Sequence, residues 1–61
     1  MLYEIKDRNR IPKLFVDGKA VRDGIKTVED ARNWLARFLT EEQLEDFICA
    51  YEAGGYARIG V

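Results

Sequence analysis

The chain has no histidine and no serine, and only one cysteine, one proline and one tryptophan in 61 residues. These absences narrow the chemistry before any motif is sought. Without histidine and with a lone Cys49, zinc-type sites built from nitrogen and sulfur ligands are excluded by composition. A serine nucleophile is excluded outright. Cys49 has no histidine to activate it, so it reads as a passive, partly exposed thiol. The two threonines, Thr27 and Thr40, stand where helix caps are needed. No glycine-rich segment opens a helix in the way a phosphate cradle requires, because Gly54-Gly55 follows one. Carboxylate pairs such as Glu41/Glu45 lack the spacing of a calcium loop. The expectation is a non-catalytic protein with no cofactor and no metal.

Other absences bear on the compartment. A single cysteine leaves no internal disulfide, and no apolar run approaches the roughly 18 residues of a membrane span. Charges at Glu4, Lys6, Asp7 and Arg8 fall where a signal peptide has its apolar stretch. The expected setting is a reducing cytoplasm, with no membrane contact.

What is present is an ordinary globular composition, 48% hydrophobic and 34% charged, in one small domain spanning 1–61. So short a chain buries only about 60% of its unfolded surface, so pairing as a homodimer would help its core. The net charge of −1 conceals an asymmetry. Residues 1–26 carry seven basic and four acidic side chains; residues 27–61 carry three and seven.

The segment "LYEIK" alternates as a strand does, "DRNR" reads as a turn, and "IPKLFV" reads as a second strand with Pro12 marking an edge or strand end. Asp17-Gly18 is the strongest hairpin signal, because a type I′ turn needs positive φ at both central residues. "KAVR" is then a short third strand. Thr27 with Asp30 opens a helix predicted over 28–39, with Val28, Ala31, Trp34, Leu35, Phe38 and Leu39 along its apolar stripe. Trp34 and Phe38 lie at the margin of that stripe, as core residues or as a partner-binding edge. Thr40 and Gln43 form a capping box for a second helix, which is expected to follow with almost no loop; Leu39 and Leu44 have staple spacing. Leu44, Phe47, Ile48 and Tyr51 make its buried stripe, Gly54-Gly55 stops it, and "YARIGV" reads as a final strand. The order is β-β-β-α-α-β, an α+β fold with both helices on one face of an antiparallel sheet. The edge that the last strand joins is not readable.

Register follows from the turns. A two-residue loop pairs Val16 with Lys19, and an even loop around Arg8-Asn9 is expected to pair Lys6 with Ile11 and Glu4 with Lys13. Tyr3, Ile5, Pro12, Leu14, Val16 and Val21 then face the core. Leu2, Glu4, Lys6, Ile11, Lys13, Phe15, Ala20 and Arg22 face outward. This second surface has three readings: a solubilising face with Glu4 paired to Lys13, a nucleic-acid surface, and an apolar protein-binding or self-association patch at Leu2, Ile11 and Phe15.

"KLFVDGKAVRDGIKTVEDARNWLARFL", residues 13–39, resembles the arm-type DNA-binding domains at the N-termini of phage tyrosine recombinases. In that family a three-stranded sheet ends in a Gly-aromatic-Lys-Thr step, followed by a helix of pattern Glu-Ala-x-x-Trp-Leu. The matching residues are Gly24-Ile25-Lys26-Thr27 and Asp30-Ala31-Arg32-Asn33-Trp34-Leu35. The resemblance implies a sheet laid in the major groove of double-stranded DNA, with Lys13, Phe15, Lys19 and Arg22 in contact and Lys6 beside them. It implies an accessory protein of a phage or mobile element. The chain departs from the family in its slight net acidity and in the acidic helix and strand that follow residue 39. That helix carries Glu41, Glu42, Glu45, Asp46 and Glu52 with no basic residue between them, and Glu41/Glu45 and Glu42/Asp46 repel at i,i+4. It reads either as a solvated face or as a docking surface for a host or cognate protein, in the manner of a small inhibitor or adaptor, through Glu42, Glu45, Asp46 and Glu52.

Overall fold

The computed structural model describes residues 1–21 and 24–61. Four strands and two helices follow in the order β1 (Leu2–Arg8), β2 (Ile11–Val16), β3 (Lys19–Ala20), α1 (Val28–Leu35), α2 (Glu41–Gly54) and β4 (Tyr56–Gly60). All strand pairs are antiparallel, and the sheet order is β3-β2-β1-β4. The architecture is the expected α+β, and the last strand joins the free edge of β1.

Asp17 and Gly18 take φ of 51° and 83°, the double positive that a type I′ turn demands, and Val16 pairs with Lys19. The turn is tied from outside: the Leu2 amide donates to the Asp17 carboxylate at 2.8 Å, and the Asp17 amide donates to the Leu2 carbonyl at 2.8 Å. Of "KAVR", the described strand takes in Lys19 and Ala20. The Val21 amide still donates to the Leu14 carbonyl at 2.8 Å, which extends the ladder by one residue. Arg22 lies outside the described residues.

The β1–β2 register differs from the expected one. Asn9 and Arg10, at φ 55° and 65°, form a second tight turn of two residues. Arg8 therefore opposes Ile11, Lys6 opposes Lys13, and Glu4 opposes Phe15. Neither the Lys6–Ile11 nor the Glu4–Lys13 pairing forms. A slip of two residues preserves side-chain parity, whereas a slip of one would invert it. Tyr3, Ile5, Pro12 and Leu14 are accordingly buried, with Val16 and Val21 half-buried at the margin. Pro12 is accommodated because the backbone groups of Leu14 face β3, as the Val21 bond shows. Those of Pro12, two residues away, face the same side and so turn away from β1, and the missing N–H leaves no bond to β1 unmade.

Both helices open on full capping boxes. The Asp30 amide donates to Thr27 Oγ1 at 3.2 Å, and the Lys26 and Thr27 amides donate to the Asp30 carboxylate at 3.1 and 3.2 Å. The Gln43 amide donates to Thr40 Oγ1 at 3.2 Å, and the Thr40 amide donates to Gln43 Oε1 at 2.9 Å. The first helix ends at Leu35 rather than Leu39, so five residues, not a bare corner, join the helices. After Leu35 the chain tightens: the Leu35 carbonyl accepts from the Phe38 amide at 2.9 Å, an i to i+3 bond, and from the Leu39 amide at 3.0 Å, before Thr40 takes the extended backbone of its cap. This tighter turn sends Leu39 into the core and Phe38 outward, 51% exposed, against its expected place in the apolar stripe.

The core is the cluster of Tyr3, Ile5, Leu14 and Ala57 from the sheet with Ala31, Leu35, Leu39, Leu44, Phe47, Ile48 and Tyr51 from the helices. The Tyr51 hydroxyl donates to the Asp7 carboxylate, and the Asp7 amide donates to the Gly55 carbonyl at 3.2 Å, which fastens the C-terminal turn of α2 to the far end of β1. Burial, reinforced by the Asp7 carboxylate, pushes the Tyr51 phenol up to about 12. Gly55 caps α2 at φ 73°. No helix among the described residues is long and apolar enough to cross a membrane.

Candidate nucleic-acid interface

Because both helices cover one face of the sheet, the other face is open, and the register arranges its side chains in rows. From the Asn9-Arg10 turn inward these are Arg8 with Ile11, then Lys13, Lys6 and Tyr56, then Ala20, Phe15, Glu4 and Arg58. Among the described residues of these rows, four cations accompany one carboxylate. Asp7 adds nothing outward, since its side chain is turned under the sheet to Tyr51.

Two features of this face work against stability. Lys6 and Lys13 stand directly opposite one another, a like-charge pair that costs about 0.2–1 kcal/mol relative to a neutral one. The carboxylate expected to offset Lys13 is one row away and engaged elsewhere: Tyr56 Oη donates to Glu4 Oε2 at 2.7 Å. Lys6 instead leans over Phe15, with its Nζ 4.9 Å from the ring centroid. The hydrogen bond to Glu4, with a smaller part from desolvation, raises the Tyr56 phenol above its ordinary range.

Among the described residues the β4 ladder stops at Tyr56 opposite Lys6 and the β3 ladder at Phe15 and Val16, with single further bonds from the Asp7 amide to Gly55 and from the Val21 amide to Leu14. The β1–β2 ribbon runs on to its turn, bearing Arg8, Asn9 and Arg10, all exposed, while Gly24, Ile25 and Lys26 line a cavity with Ile11 and Lys13 along its β2 side. Lys6 and Lys13 sit at the base of this ribbon.

The expected contact residues divide. Lys6, Lys13 and Phe15 share the open face, Phe15 half-buried beneath Lys6. Lys19 pairs with Val16, so it belongs to the helix side of the sheet and does not join them. Arg22 is outside the described residues. Four residues escaped the sequence reading. The sequence places Arg8 and Arg10 in a four-residue turn, "DRNR". Tyr56 and Arg58 reach the face only because β4 adds to β1. The signal for the last two was their alternation with Ala57 and Ile59, which fixes a common side once the edge is known.

The alternative surfaces also resolve. The Leu2/Ile11/Phe15 patch is not continuous: Ile11 is 44% exposed, Leu2 and Phe15 are half-buried, and Lys13 stands between Ile11 and Phe15 on the same strand. Glu42, Glu45, Asp46 and Glu52 are exposed on α2, with Arg32 of α1 beside Glu45, Asp46, Glu52 and the exposed Cys49 in a shallow depression. That acidic surface and the basic ribbon lie on opposite sides of the sheet, so the charge asymmetry along the sequence becomes one through space. At a third place, Phe38 lies 6.3 Å from Tyr3 and 5.0 Å from Trp34, ring to ring.

Comparison with protein-family models, curated proteins and solved structures finds no match to this chain.

Proposed function

We propose that this chain is a small, non-catalytic cytoplasmic module that binds duplex DNA with the open face of its sheet, an accessory protein of the kind phages and mobile elements encode. The observation that carries the reading is the Lys6–Lys13 pair, set directly across two strands, with Arg8, Arg10 and Arg58 near it and, among the described residues, one carboxylate on the face. The like-charge pair itself costs the fold a little, offset in part by the contact of Lys6 with Phe15, whereas a phosphate backbone neutralises both charges. The major groove, about 12 Å wide, admits a two-stranded ribbon, and the β1–β2 turn with its exposed Arg8 and Arg10 is the part that would enter it. The acidic α2 faces away from the phosphates in that pose, so the field of the domain orients it on approach.

Fluorescence anisotropy with a mixed-sequence duplex tests this. Four phosphate contacts give a slope of log affinity against log salt near −3.6, or about a hundredfold loss between 50 and 200 mM salt. Lys6→Ala and Lys13→Ala should each reduce the slope by about 1. Absence of binding at micromolar protein in low salt ends the proposal.

The competing reading is an inhibitor or adaptor that docks a host or cognate protein, or a second copy of itself. The exposed Phe38, ringed by Trp34 and Tyr3, and the acidic α2 favour it. Loss of a captured partner on Glu45→Lys or Phe38→Ala, with none on Lys13→Glu, would support that assignment.

A further inference from the structure

Glu4 is out of place on a surface for phosphates. It lies on the interior strand β1, in the same row as Phe15 and Arg58, half-buried, with cations around it. A carboxylate there repels the backbone of any nucleic acid, and yet its position is reinforced: Tyr56 Oη donates to its Oε2 at 2.7 Å. That bond uses one oxygen and leaves the lone pairs of Oε1 uncommitted to it. Arg58 stands directly opposite Glu4 and two residues from Tyr56 on the same face, so the register brings acid, phenol and guanidinium together.

Phosphate contacts position a protein on DNA, and contacts to base edges specify the sequence. An acceptor-only carboxylate is unsuited to the first task. In the major groove it suits the second, because cytosine presents an N4 amino donor there. Arginine is the complementary reader, donating to guanine O6 and N7. A carboxylate and a guanidinium directly across two strands thus match the donor and acceptor edges of a G·C pair. We infer that Glu4, oriented by Tyr56, accepts a hydrogen bond from cytosine N4 and with Arg58 gives this face a preference for G·C base pairs. The inference rests on the duplex-binding reading above. Lys6, Lys13 and Arg8 supply affinity without sequence information, and Tyr56 is a positioning residue.

The experiment is anisotropy at fixed salt on two duplexes of equal length, one alternating dG and dC and one alternating dA and dT. The wild-type chain should favour the G·C duplex by about fivefold or more, the lower range of one good base contact. Glu4→Gln keeps the shape of the side chain and an oxygen for the Tyr56 hydroxyl. It should bind the A·T duplex more tightly than wild type, through loss of a negative charge, while the preference falls below about twofold. Tyr56→Phe should reduce the preference and leave the salt slope unchanged, which a merely structural role would not separate. Equal wild-type affinity for both duplexes overturns the inference and leaves the duplex-binding reading standing. So does a Glu4→Gln variant that binds both more tightly with its preference intact, since the carboxylate then only offsets neighbouring charge. No binding to either duplex overturns both readings together.

Discussion

Replacing Arg10 with glycine is expected to make the fold more stable and its ligand binding weaker. Arg10 sits at φ 65° as the second central residue of a two-residue turn whose first, Asn9, is at φ 55°. An L-residue in this region places its Cβ against the following carbonyl, at about 1–2 kcal/mol. Glycine removes that clash but loses more backbone entropy on folding, about 0.5–1 kcal/mol. The difference leaves Arg10→Gly more stable by roughly 0.5–1 kcal/mol, and it creates Asn-Gly, the favoured type I′ pair. In urea, with a slope of about 1 kcal/mol/M for so small a chain, the midpoint should rise by about 0.5–1 M with the slope unchanged. A parallel DNA titration should show lower affinity and a shallower salt slope, because an exposed cation at the ribbon tip has gone. An unchanged or lower midpoint would refute the strain argument. A higher midpoint with unaltered DNA binding would show that the arginine is not there for the ligand.

Tyr51→Phe removes the hydroxyl bonded to Asp7, and since the Asp7 carboxylate is exposed and can be rehydrated, the cost should be about 1 kcal/mol by chemical denaturation. The same bond sets an alkaline limit. The folded phenol titrates near 12 and the unfolded one near 10, so the folded state holds the extra proton between them, and stability should fall as pH rises from about 10 to 12. That part of the fall should vanish in Tyr51→Phe. Thr27→Ala and Thr40→Ala each lose one half of a capping box and should cost about 1 kcal/mol, read as a fall in thermal midpoint. Leu35→Ala, at a fully buried position, should cost about 2–5 kcal/mol against a total of about 3–9 kcal/mol for this length and leave much of the chain unfolded by circular dichroism.

Much of the fold was legible because local chemistry states it redundantly. Two capping boxes, an Asp-Gly turn and a Gly-Gly stop punctuate the chain, and alternation assigns each strand residue to a face. Parity survived an error in register because the error was an even number of residues. What was not legible depended on energies that no local motif carries. Asn9-Arg10 is a poor type I′ sequence, and nothing nearby indicates that the chain accepts the strain. The choice of β1 as the partner of β4 is made by α2 packing, through Tyr51 and Asp7 at opposite ends of the chain. The early end of α1 falls in a tightened turn at Leu35 that no capping residue announces, and Phe38 is exposed there. The candidate site inherits these limits: Lys6, Lys13 and Phe15 follow from parity alone, while Arg8, Arg10, Tyr56 and Arg58 required the turn and the edge.

The most direct test of duplex binding by the open sheet face is a titration of the ¹⁵N-labelled chain with a short duplex, followed by amide chemical shifts. Perturbations are expected along Lys6–Lys13 and at Tyr56 and Arg58, with the exposed side of α2 from Glu42 to Glu52 unmoved. Shifts centred on α2, or on Trp34 and Phe38, with the ribbon silent would contradict binding by that face.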